Sequence, residues 1–230
     1  MMDIRIIIQA RMGSDRLRGK TLSHINGVPL LKRVYDTVCH LDISNNIIIV
    51  TSRYIEDDPI DSYCSEYLNC SCRRGDSKDV LSRFINACED QNSDGIIIRI
   101  TADNIFYQKN ICKELLRLHR ENNNDYTGIR GLSHIACEII KTRALKRLSY
   151  QELNEYDCEH VTNYFINNPK KFRIELIEPE KFKLIKEYDE LLTIDTDEDR
   201  SRIESILKYL DNNNKSYTRQ NLYTWINEYI

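Results

Sequence analysis

At 230 residues, the chain is long enough for one sizeable α/β domain, or for one domain with a small appendage. The formal net charge of −3 argues against broad electrostatic binding of nucleic acid. No apolar run approaches the roughly 20 residues that span a membrane, and the N-terminal apolar run is too short for a signal peptide. We therefore expect a single domain over 1–230 that acts in the cytoplasm, with no nucleic-acid or membrane partner.

The first half of the chain alternates two kinds of segment. Three runs rich in isoleucine, at 5–10, 46–52 and 95–101, predict strands that are buried on both faces of a parallel sheet. Between these runs, apolar residues recur at helical spacing, and this β-α-β order predicts a doubly wound α/β sheet. The apolar stripes consist of Leu30, Leu31, Val34, Val38 and Leu41, then Val80, Leu81, Phe84, Ile85 and Cys88, then Ile111, Leu115, Leu116 and Leu118.

The second half is less regular, but it also mixes strand and helix patterns. A helix is predicted over 159–168, and another begins after Thr196 or Asp197, either of which could cap it. We expect 125–190 to form a subregion that binds an acceptor or makes a dimer. The predicted strands of this half span 125–129, 135–140, 172–177 and 191–194.

The eight cysteines are typical of a protein that keeps its thiols reduced and mostly buried. Cys64, Cys70 and Cys72 could bind a metal, but no C-x-x-C pair and no second pair of ligands accompanies them. Cys158 lies two residues before His160 and could be a nucleophile, although packing explains it without further support.

The stretch Gln9 to Thr21 reads QARMGSDRLRGKT and ends as a phosphate-binding P-loop does, in Gly-Lys-Thr. A P-loop places four residues between its two glycines, its lysine follows the second glycine, and a helix begins at that lysine. Here Gly13 is one residue too distant from Gly19, and no helix is expected before Pro29, because Asn26 and Gly27 predict a turn. The stretch is therefore not a P-loop.

The same stretch is nevertheless rich in cations. Arg11, Arg16, Arg18 and Lys20 follow the first predicted strand at its carboxyl end, which is where open α/β sheets bind ligands. Guanidinium and ammonium groups neutralise phosphate oxygens, and small residues let the backbone approach them. The alternative is a solvated basic loop, but so many cations on a slightly acidic chain favour phosphate binding.

Two aspartates follow predicted strands. Asp103 comes after the strand at 95–101, and Asp195 comes after the strand at 191–194. Both could converge on the cation-rich loop, and Mg²⁺ on a polyphosphate takes one or two carboxylates. The alternative for each is a helix cap or a turn residue.

Five motifs together resemble a known family. IIIQARMGSDRLRGKTL, RRGDSKDVLSRF, IIRITADN, CEHVTNYF and LTIDTDED occur in the order found in cytidylyltransferases of the spore-coat polysaccharide type, which are related to the synthetases of CMP-Kdo and CMP-sialic acids. The resemblance covers roughly 5–205. It implies a three-layer α/β/α nucleotide-diphospho-sugar transferase fold with a mostly parallel, mixed sheet. It also implies CTP as donor, Mg²⁺, release of pyrophosphate and a homodimer.

The resemblance also implies roles for individual residues, which we state as expectations. Asp103 and Asp195 would hold the metal, and Glu138, Glu159 and His160 would line the acceptor side. Lys20, Arg11, Asp103 and His160 would carry the catalysis, with His160 as a general base or an acceptor-binding group, or simply a helix-capping histidine. The nucleotide would be held by Gln9, Ala10, Arg11, Gly13, Ser14, Arg16, Lys20, Arg74, Asp79 and Arg83.

The chain departs from the family pattern at four positions. Arg18 replaces a usual proline, Ile105 another proline, Ala136 an aspartate and Cys158 an arginine. Most of these departures fall where the acceptor should bind, so they affect the substrate more than the nucleotide. The sequence thus predicts a cytidylyltransferase that makes a CMP-activated, acidic sugar for a surface glycan. The alternatives are the same fold with another nucleoside triphosphate or a phosphorylated acceptor, and a non-catalytic nucleotide-binding protein.

Overall fold

The computed structural model describes residues 3–14, 16–132 and 134–230, and its centre is a mixed sheet of seven strands. The strands lie in the order β5-β4-β1-β6-β8-β7-β9. Their bounds are β1 Ile4–Gln9, β4 Ile47–Ser52, β5 Ser71–Gly75, β6 Ile96–Thr101, β7 Tyr126–Ile129, β8 Glu138–Lys141 and β9 Ile174–Ile177. A separate hairpin pairs β2 His24–Ile25 with β3 Val28–Pro29.

Parallel pairing dominates the sheet. β1 pairs in parallel with both β4 and β6, and β4 pairs in parallel with β5. β8 is the exception, because it lies antiparallel to β6 on one side and to β7 on the other. This arrangement confirms the predicted α/β fold with a mostly parallel, mixed sheet.

Ten α-helices in the described residues accompany the sheet. They are α1 Leu30–Leu41, α2 Asp58–Tyr63, α3 Val80–Ala87, α4 Lys109–Glu121, α5 Thr142–Leu148, α6 Glu155–Glu159, α7 Asn163–Asn167, α8 Lys186–Glu190, α9 Asp197–Asn212 and α10 Arg219–Tyr229. A π-helical segment, Cys64–Leu68, follows α2, and short 3-10 turns cover Lys20–Leu22, Ile55–Asp57 and Pro179–Phe182. None of the helices in the described ranges is both long and apolar enough to cross a bilayer.

The isoleucine-rich strands are covered on both faces. Ile6 and Ile8 of β1 face the core that includes α1, α4, α9 and α10, whereas Ile7 faces the core that includes α3 and α5. All three side chains are fully buried. The absence of apolar-polar alternation in these runs therefore has a direct cause, since each face of the strand has its own hydrophobic core.

The cysteines behave mainly as core residues. Cys64 is buried, and Cys70 and Cys72 pack against the same core. Within the described part of the chain, no group of three or more cysteine, histidine or acidic side chains is arranged to hold a metal. Cys158 is partly buried, and burial raises the pKa of its thiol, which disfavours the thiolate that a nucleophile needs.

Three local predictions were wrong. The segment 191–194 is not a strand, because β6 is already paired on both sides, and the segment makes one bridge, from Thr193 to Asn104. The helix predicted over 159–168 is helical only in α7, because α6 already ends at Glu159, and buried Val161 and the hydrogen bond from Thr162 to Glu138 hold the chain between the two helices. Finally, a 3-10 turn does begin at Lys20, but α1 still starts only after the hairpin, at Leu30.

Candidate active site

The cation-rich loop after β1 is held in place by its own backbone and by one buried carboxylate. The backbone N–H of Gly19 donates to the carbonyl of Met12 at 2.9 Å. Asp57 accepts from the N–H of Met12 at 2.7 Å and from the N–H of Ser52 at 3.0 Å. Gly19 itself has a φ of 72°, a left-handed conformation that favours glycine. The loop therefore lies fixed against the carboxyl end of β4.

Asp57 was not anticipated from the sequence. It belongs to an acidic run, Glu56 to Asp58, that the sequence would place in solvent. Its role is evident only from the structure, where its side chain is 3 % exposed and accepts a hydrogen bond from the loop. An acidic residue that accepts backbone N–H groups across a strand end leaves no periodic signal in a sequence. Its function here is to position the loop.

A cavity of about 280 Å³ opens between this loop and the carboxyl ends of β1 and β6. Eight of the residues predicted to form the site line it together, and Thr21, Thr101 and Ala102 complete the lining. The eight are Gln9, Ala10, Arg11, Ser14, Arg16, Lys20, Asp103 and Asp195. The structure thus brings together residues separated by almost the whole length of the chain.

Lys20 is the centre of this cavity's charge network. Its Nζ lies 2.8 Å from Oδ1 of Asp195 and 3.3 Å from Oδ2 of Asp103, and it donates to the carbonyl of Ile194 at 2.7 Å. Arg16 reaches the other oxygen of Asp195 at 2.8 Å. The side chain of Lys20 is only 11 % exposed, so its charge is balanced locally by the two aspartates.

The two aspartates suit a magnesium ion. Both offer carboxylate oxygens at the cavity, and their side chains remain 30 % and 23 % exposed for Asp103 and Asp195 respectively. Mg²⁺ prefers oxygen ligands and usually takes one or two carboxylates, with phosphate oxygens and water completing the octahedron. A site with two carboxylates beside an open, cation-lined cavity fits that requirement.

A second cavity of about 140 Å³ adjoins the first, because Arg11 lines both. Gly13 and Arg83, both predicted to contact the nucleotide, lie in its wall with Ser52 and Ser77. In the sequence, only the motif RRGDSKDVLSRF indicated a site here, because it contains Arg83. The helical pattern of α3 alone does not predict a cavity beside it.

Arg83 is buried, with 1 % exposure, but its hydrogen bonding is incomplete. Its Nη2 donates to the carbonyl of Ser77 at 2.9 Å, whereas Nε and Nη1 have no hydrogen-bond partner among the residues that the structure describes. Burial lowers the pKa of this guanidinium, although nearby Asp57 opposes the shift. Gly75 permits the arrangement, because a Cβ there would lie 2.6 Å from Cγ of Arg83. Buried N–H groups without a partner indicate a place for a hydrogen-bond acceptor.

Two residues predicted to hold the nucleotide have structural contacts instead. Arg74 donates to the carbonyls of Ser52 and Tyr54 and pairs with Asp58 at 2.5 Å. Asp79 caps α3 by accepting from the N–H of Ser82 at 2.8 Å. Neither belongs to the lining of the two cavities.

The predicted acceptor residues divide into two groups. Glu159 lies at the cavity rim, where it pairs with Arg11 at 3.6 Å. His160 ends α6, and its ring lies 4.1 Å from that of Tyr156. Glu138 requires a correction, because it is buried and bonded to Arg99, to the hydroxyl of Tyr126 and to Thr162, away from the cavity lining.

The four departures from the family pattern also do not form a second cluster. Ile105 and Ala136 are buried in the core, with 2 % and 3 % exposure. Arg18 is 80 % exposed and reaches Glu56, a residue of the smaller cavity's wall, at 3.4 Å, but it does not itself line either cavity. These substitutions therefore change packing and surface charge more directly than they change the site.

Comparisons with known proteins identify the family of this chain. The model of the cytidylyltransferase family matches residues 5–229. The chain is 34 % identical to the spore coat polysaccharide biosynthesis protein SpsF of Bacillus subtilis, over 90 % of this chain and 87 % of that protein. It is 23 % identical to the 8-amino-3,8-dideoxy-manno-octulosonate cytidylyltransferase of Shewanella frigidimarina, over 71 % of this chain and 64 % of that protein.

Solved structures give the same result for the fold. A cytidylyltransferase from Leptospira borgpetersenii superposes with a TM-score of 0.81 at 26 % identity, over 99 % of this chain and 95 % of that one. A CMP-2-keto-3-deoxy-manno-octonic acid synthetase complexed with CTP has a TM-score of 0.60 at 14 % identity, over 90 % of this chain and 99 % of that one, and so shares the fold. This chain therefore belongs to the cytidylyltransferase family and is a nucleotidyltransferase.

Proposed function

We propose that this enzyme transfers CMP from CTP to an acidic sugar, with release of pyrophosphate, for the synthesis of a surface polysaccharide. An oxygen of the acceptor attacks the α-phosphorus, and the bond from that phosphorus to the bridging oxygen of pyrophosphate breaks. The family supports the nucleotide and the reaction type. The octulosonate and polysaccharide named for its relatives support the choice of an acidic sugar and a surface glycan.

The observation that carries this proposal is the composition of the larger cavity. Arg11, Arg16 and Lys20 surround it with three cations, and Asp103 and Asp195 add two carboxylates at strand ends. A triphosphate needs both, because the cations neutralise its oxygens and the carboxylates hold the accompanying metal. Positioning and charge neutralisation supply most of the rate in phosphoryl-type transfers.

Asp103 and Asp195 would hold Mg²⁺, which supplies charge neutralisation on the phosphate oxygens when it is bound. Lys20 is fixed between the two carboxylates, and its positive charge would neutralise the departing pyrophosphate. Arg16 has greater freedom, with a side chain that is 67 % exposed, and it would close on the distal phosphates.

The nucleoside would extend into the smaller cavity. Arg83 lines that cavity, and two of its nitrogens, Nε and Nη1, have no partner in the described parts of the chain, while the carbonyl and ring nitrogen of cytosine are acceptors of matching kind. Gly13 leaves room for the ligand, because a Cβ at that position would meet only the carboxylate of Glu56, at 3.9 Å. Arg74 and Asp79 would then act by shaping the wall around this ligand, through the loop at 52–58 and the start of α3.

The acceptor would enter near Glu159 and His160. Glu159 is already tied to the cavity through Arg11, and it is about half exposed. His160 follows at the end of α6, where it would accept the proton of the attacking hydroxyl or bind the acceptor. The region 125–190 contributes both residues, and it also exposes Tyr150 and Tyr156, which would serve an acceptor surface or a homodimer contact.

We further propose that the enzyme works in the cytoplasm as a single-domain protein over 1–230 that forms homodimers. All eight cysteines are free thiols, as a reducing compartment requires, and a cytosolic enzyme has direct access to CTP. Measuring the mass of the purified protein by light scattering checks the dimer, since a monomer mass at micromolar concentration contradicts it.

The test is a matrix of donors and acceptors. The purified protein is incubated with each of the four nucleoside triphosphates, Mg²⁺ and a panel of acidic sugars, neutral sugars and sugar phosphates, and pyrophosphate is measured. We expect release with CTP and an acidic sugar. If pyrophosphate is released only with another nucleotide, that nucleotide is the donor instead of CTP. If no pair of donor and acceptor releases pyrophosphate, the proposed transferase reaction is refuted.

A further inference from the structure

We propose that Arg99 and Glu138 form a buried pair that orients the amide of Gln9, so that its NH₂ group binds an oxygen of the acidic acceptor. This inference rests on the proposed function and adds a specificity-determining residue and two positioning residues to it. It gives Glu138 a role without the direct acceptor contact that the sequence suggested, and it assigns Gln9 to the acceptor instead of the nucleotide to which the resemblance assigned it.

The orientation of the Gln9 amide follows from its neighbour. Nη2 of Arg99 donates to Oε1 of Gln9 at 3.1 Å. A guanidinium has only donors, so the amide must turn its oxygen towards Arg99 and its NH₂ group away. Gln9 lines the cavity, and among the described residues nothing accepts a hydrogen bond from that NH₂ group. Two N–H donors are thus left for a ligand.

The guanidinium of Arg99 is itself fixed. It forms a hydrogen-bonded ion pair with Glu138, and both side chains are nearly buried. Glu138 in turn accepts from the hydroxyl of Tyr126 at 2.6 Å and from Thr162 at 2.8 Å. Burial alone raises the pKa of Glu138, but Arg99 and these two donors outweigh it and hold the pKa below its ordinary range. The carboxylate therefore stays charged and keeps Arg99 in place.

The hydrogen bonds from Arg99 to Gln9, and from Gln9 to the proposed acceptor, would all run in one direction, from donor to acceptor. Arg99 withdraws electron density from the oxygen of Gln9, which makes the amide N–H groups stronger donors, as in other hydrogen-bonded chains. Glu138 balances the charge of Arg99, so the pair adds little net charge to the cavity. A strengthened neutral donor suits a carboxylate oxygen of the acceptor, since it attracts that oxygen without competing with the cations that bind phosphates.

The position of the chain of bonds in the sheet favours the acceptor over the nucleotide. Gln9 ends β1, the strand that separates the two sides of the site. On one side lie β4 and β5, next to the cavity that contains Arg83. On the other side lie β6 with Arg99 and β8 with Glu138, and Thr162 links Glu138 to the segment after His160.

The experiment compares Gln9→Met, Glu138→Gln and the double variant by steady-state kinetics, with CTP and the acidic sugar that the wild type uses best. We expect each single variant to raise the KM for the acceptor by about tenfold or more, because a donor to the acceptor is lost or misplaced. The KM for CTP should stay within about threefold, since uniform damage to the fold would raise both. The double variant should be no worse than the worse single one. Gln220→Met, on the exposed surface of α10, is the matched control.

The outcomes separate this inference from the proposed function. If the wild-type enzyme releases no pyrophosphate with any acidic sugar, both the proposed function and this inference are refuted. A working wild type whose Gln9→Met variant keeps the KM for the acceptor, or raises the KM for CTP equally, overturns the inference alone. Additive effects in the double variant would show that Glu138 does not act through Gln9. If Glu138→Gln does not fold, Arg99→Lys takes its place, since it keeps the charge but loses the fork that holds Oε1 of Gln9.

Discussion

Lys20 and Asp195 are 175 positions apart in the sequence, yet Nζ of one lies 2.8 Å from Oδ1 of the other. The contact joins the loop after β1 to the segment that precedes α9, and Asp103 joins it from the end of β6. It therefore closes the cavity from three separate parts of the chain. A lysine held by two carboxylates is both a structural link and a fixed positive charge beside the proposed phosphates.

Replacing Lys20 with methionine should reduce kcat/KM for CTP by about 10²- to 10³-fold, because a preorganised charge at the departing pyrophosphate is lost. Pyrophosphate release under saturating Mg²⁺ measures this. Lys32→Met is the matched control, since Lys32 forms only a partly exposed pair with Asp36 on α1. Circular dichroism checks that the variant is folded. A Lys20 variant with activity within a factor of about two would contradict the role.

Asp103 should govern the dependence on Mg²⁺. We expect Asp103→Asn to lower kcat by about 10²-fold or more and to raise the Mg²⁺ concentration for half-maximal rate, since an amide is a weaker ligand than a carboxylate. Activity is measured over a range of Mg²⁺ concentrations. Asp197→Asn, at a position that is 71 % exposed in the first turn of α9, should leave the curve unchanged. An unchanged curve for Asp103→Asn refutes the metal assignment.

Arg83 should show opposite effects on stability and on binding. Arg83→Met removes a buried charge whose Nε and Nη1 have no partner among the described residues, so the free protein should keep or gain stability. The same change should weaken CTP binding by about tenfold or more, because the donors serve the ligand. Thermal melts and calorimetric titration with CTP measure the two quantities.

The control for the thermal melts and the CTP titrations is Arg73→Met, which removes the same charge from an exposed position on β5. A variant of Arg83 that loses stability but binds CTP normally would show that the guanidinium is only structural.

His119 should make the stability depend on pH. It is buried, and burial, with the nearby charge of Lys141, lowers its pKa to about 4. The unfolded chain takes up a proton near pH 6.5, and the folded one does so only near 4, so stability should fall as the pH drops through this window. The loss should reach on the order of 2 to 3 kcal/mol.

Urea unfolding at pH 7.5 and at pH 4.5 tests this dependence. His119→Gln should flatten it, although it loses the contact between Nδ1 and Thr127 and so lowers stability at both values. The exposed His24→Gln should keep the slope of the wild type. The same slope in His119→Gln and in the wild type would contradict the assignment.

The sequence by itself determined the α/β fold and the loop that carries the cations. Runs such as 5–10 are apolar without alternation, and that pattern has one simple explanation, a strand covered on both faces. The exclusion of a P-loop also held, because the turn at Asn26 and Gly27 delays α1 until Leu30. These features depend on residues close together in the sequence, so the local hydrophobic pattern and turn residues are sufficient to predict them.

Only the tertiary structure decided which polar residues meet, and on which side of the sheet. Glu138 has the same sequence appearance as an exposed ligand-binding acid, but pairing of β8 with β6 buries it against Arg99. Asp57 gave no signal at all, and its burial beneath the loop comes from contacts distant in sequence. Solvation and pairing of charges depend on the packing of whole elements, and no period in a sequence encodes that packing.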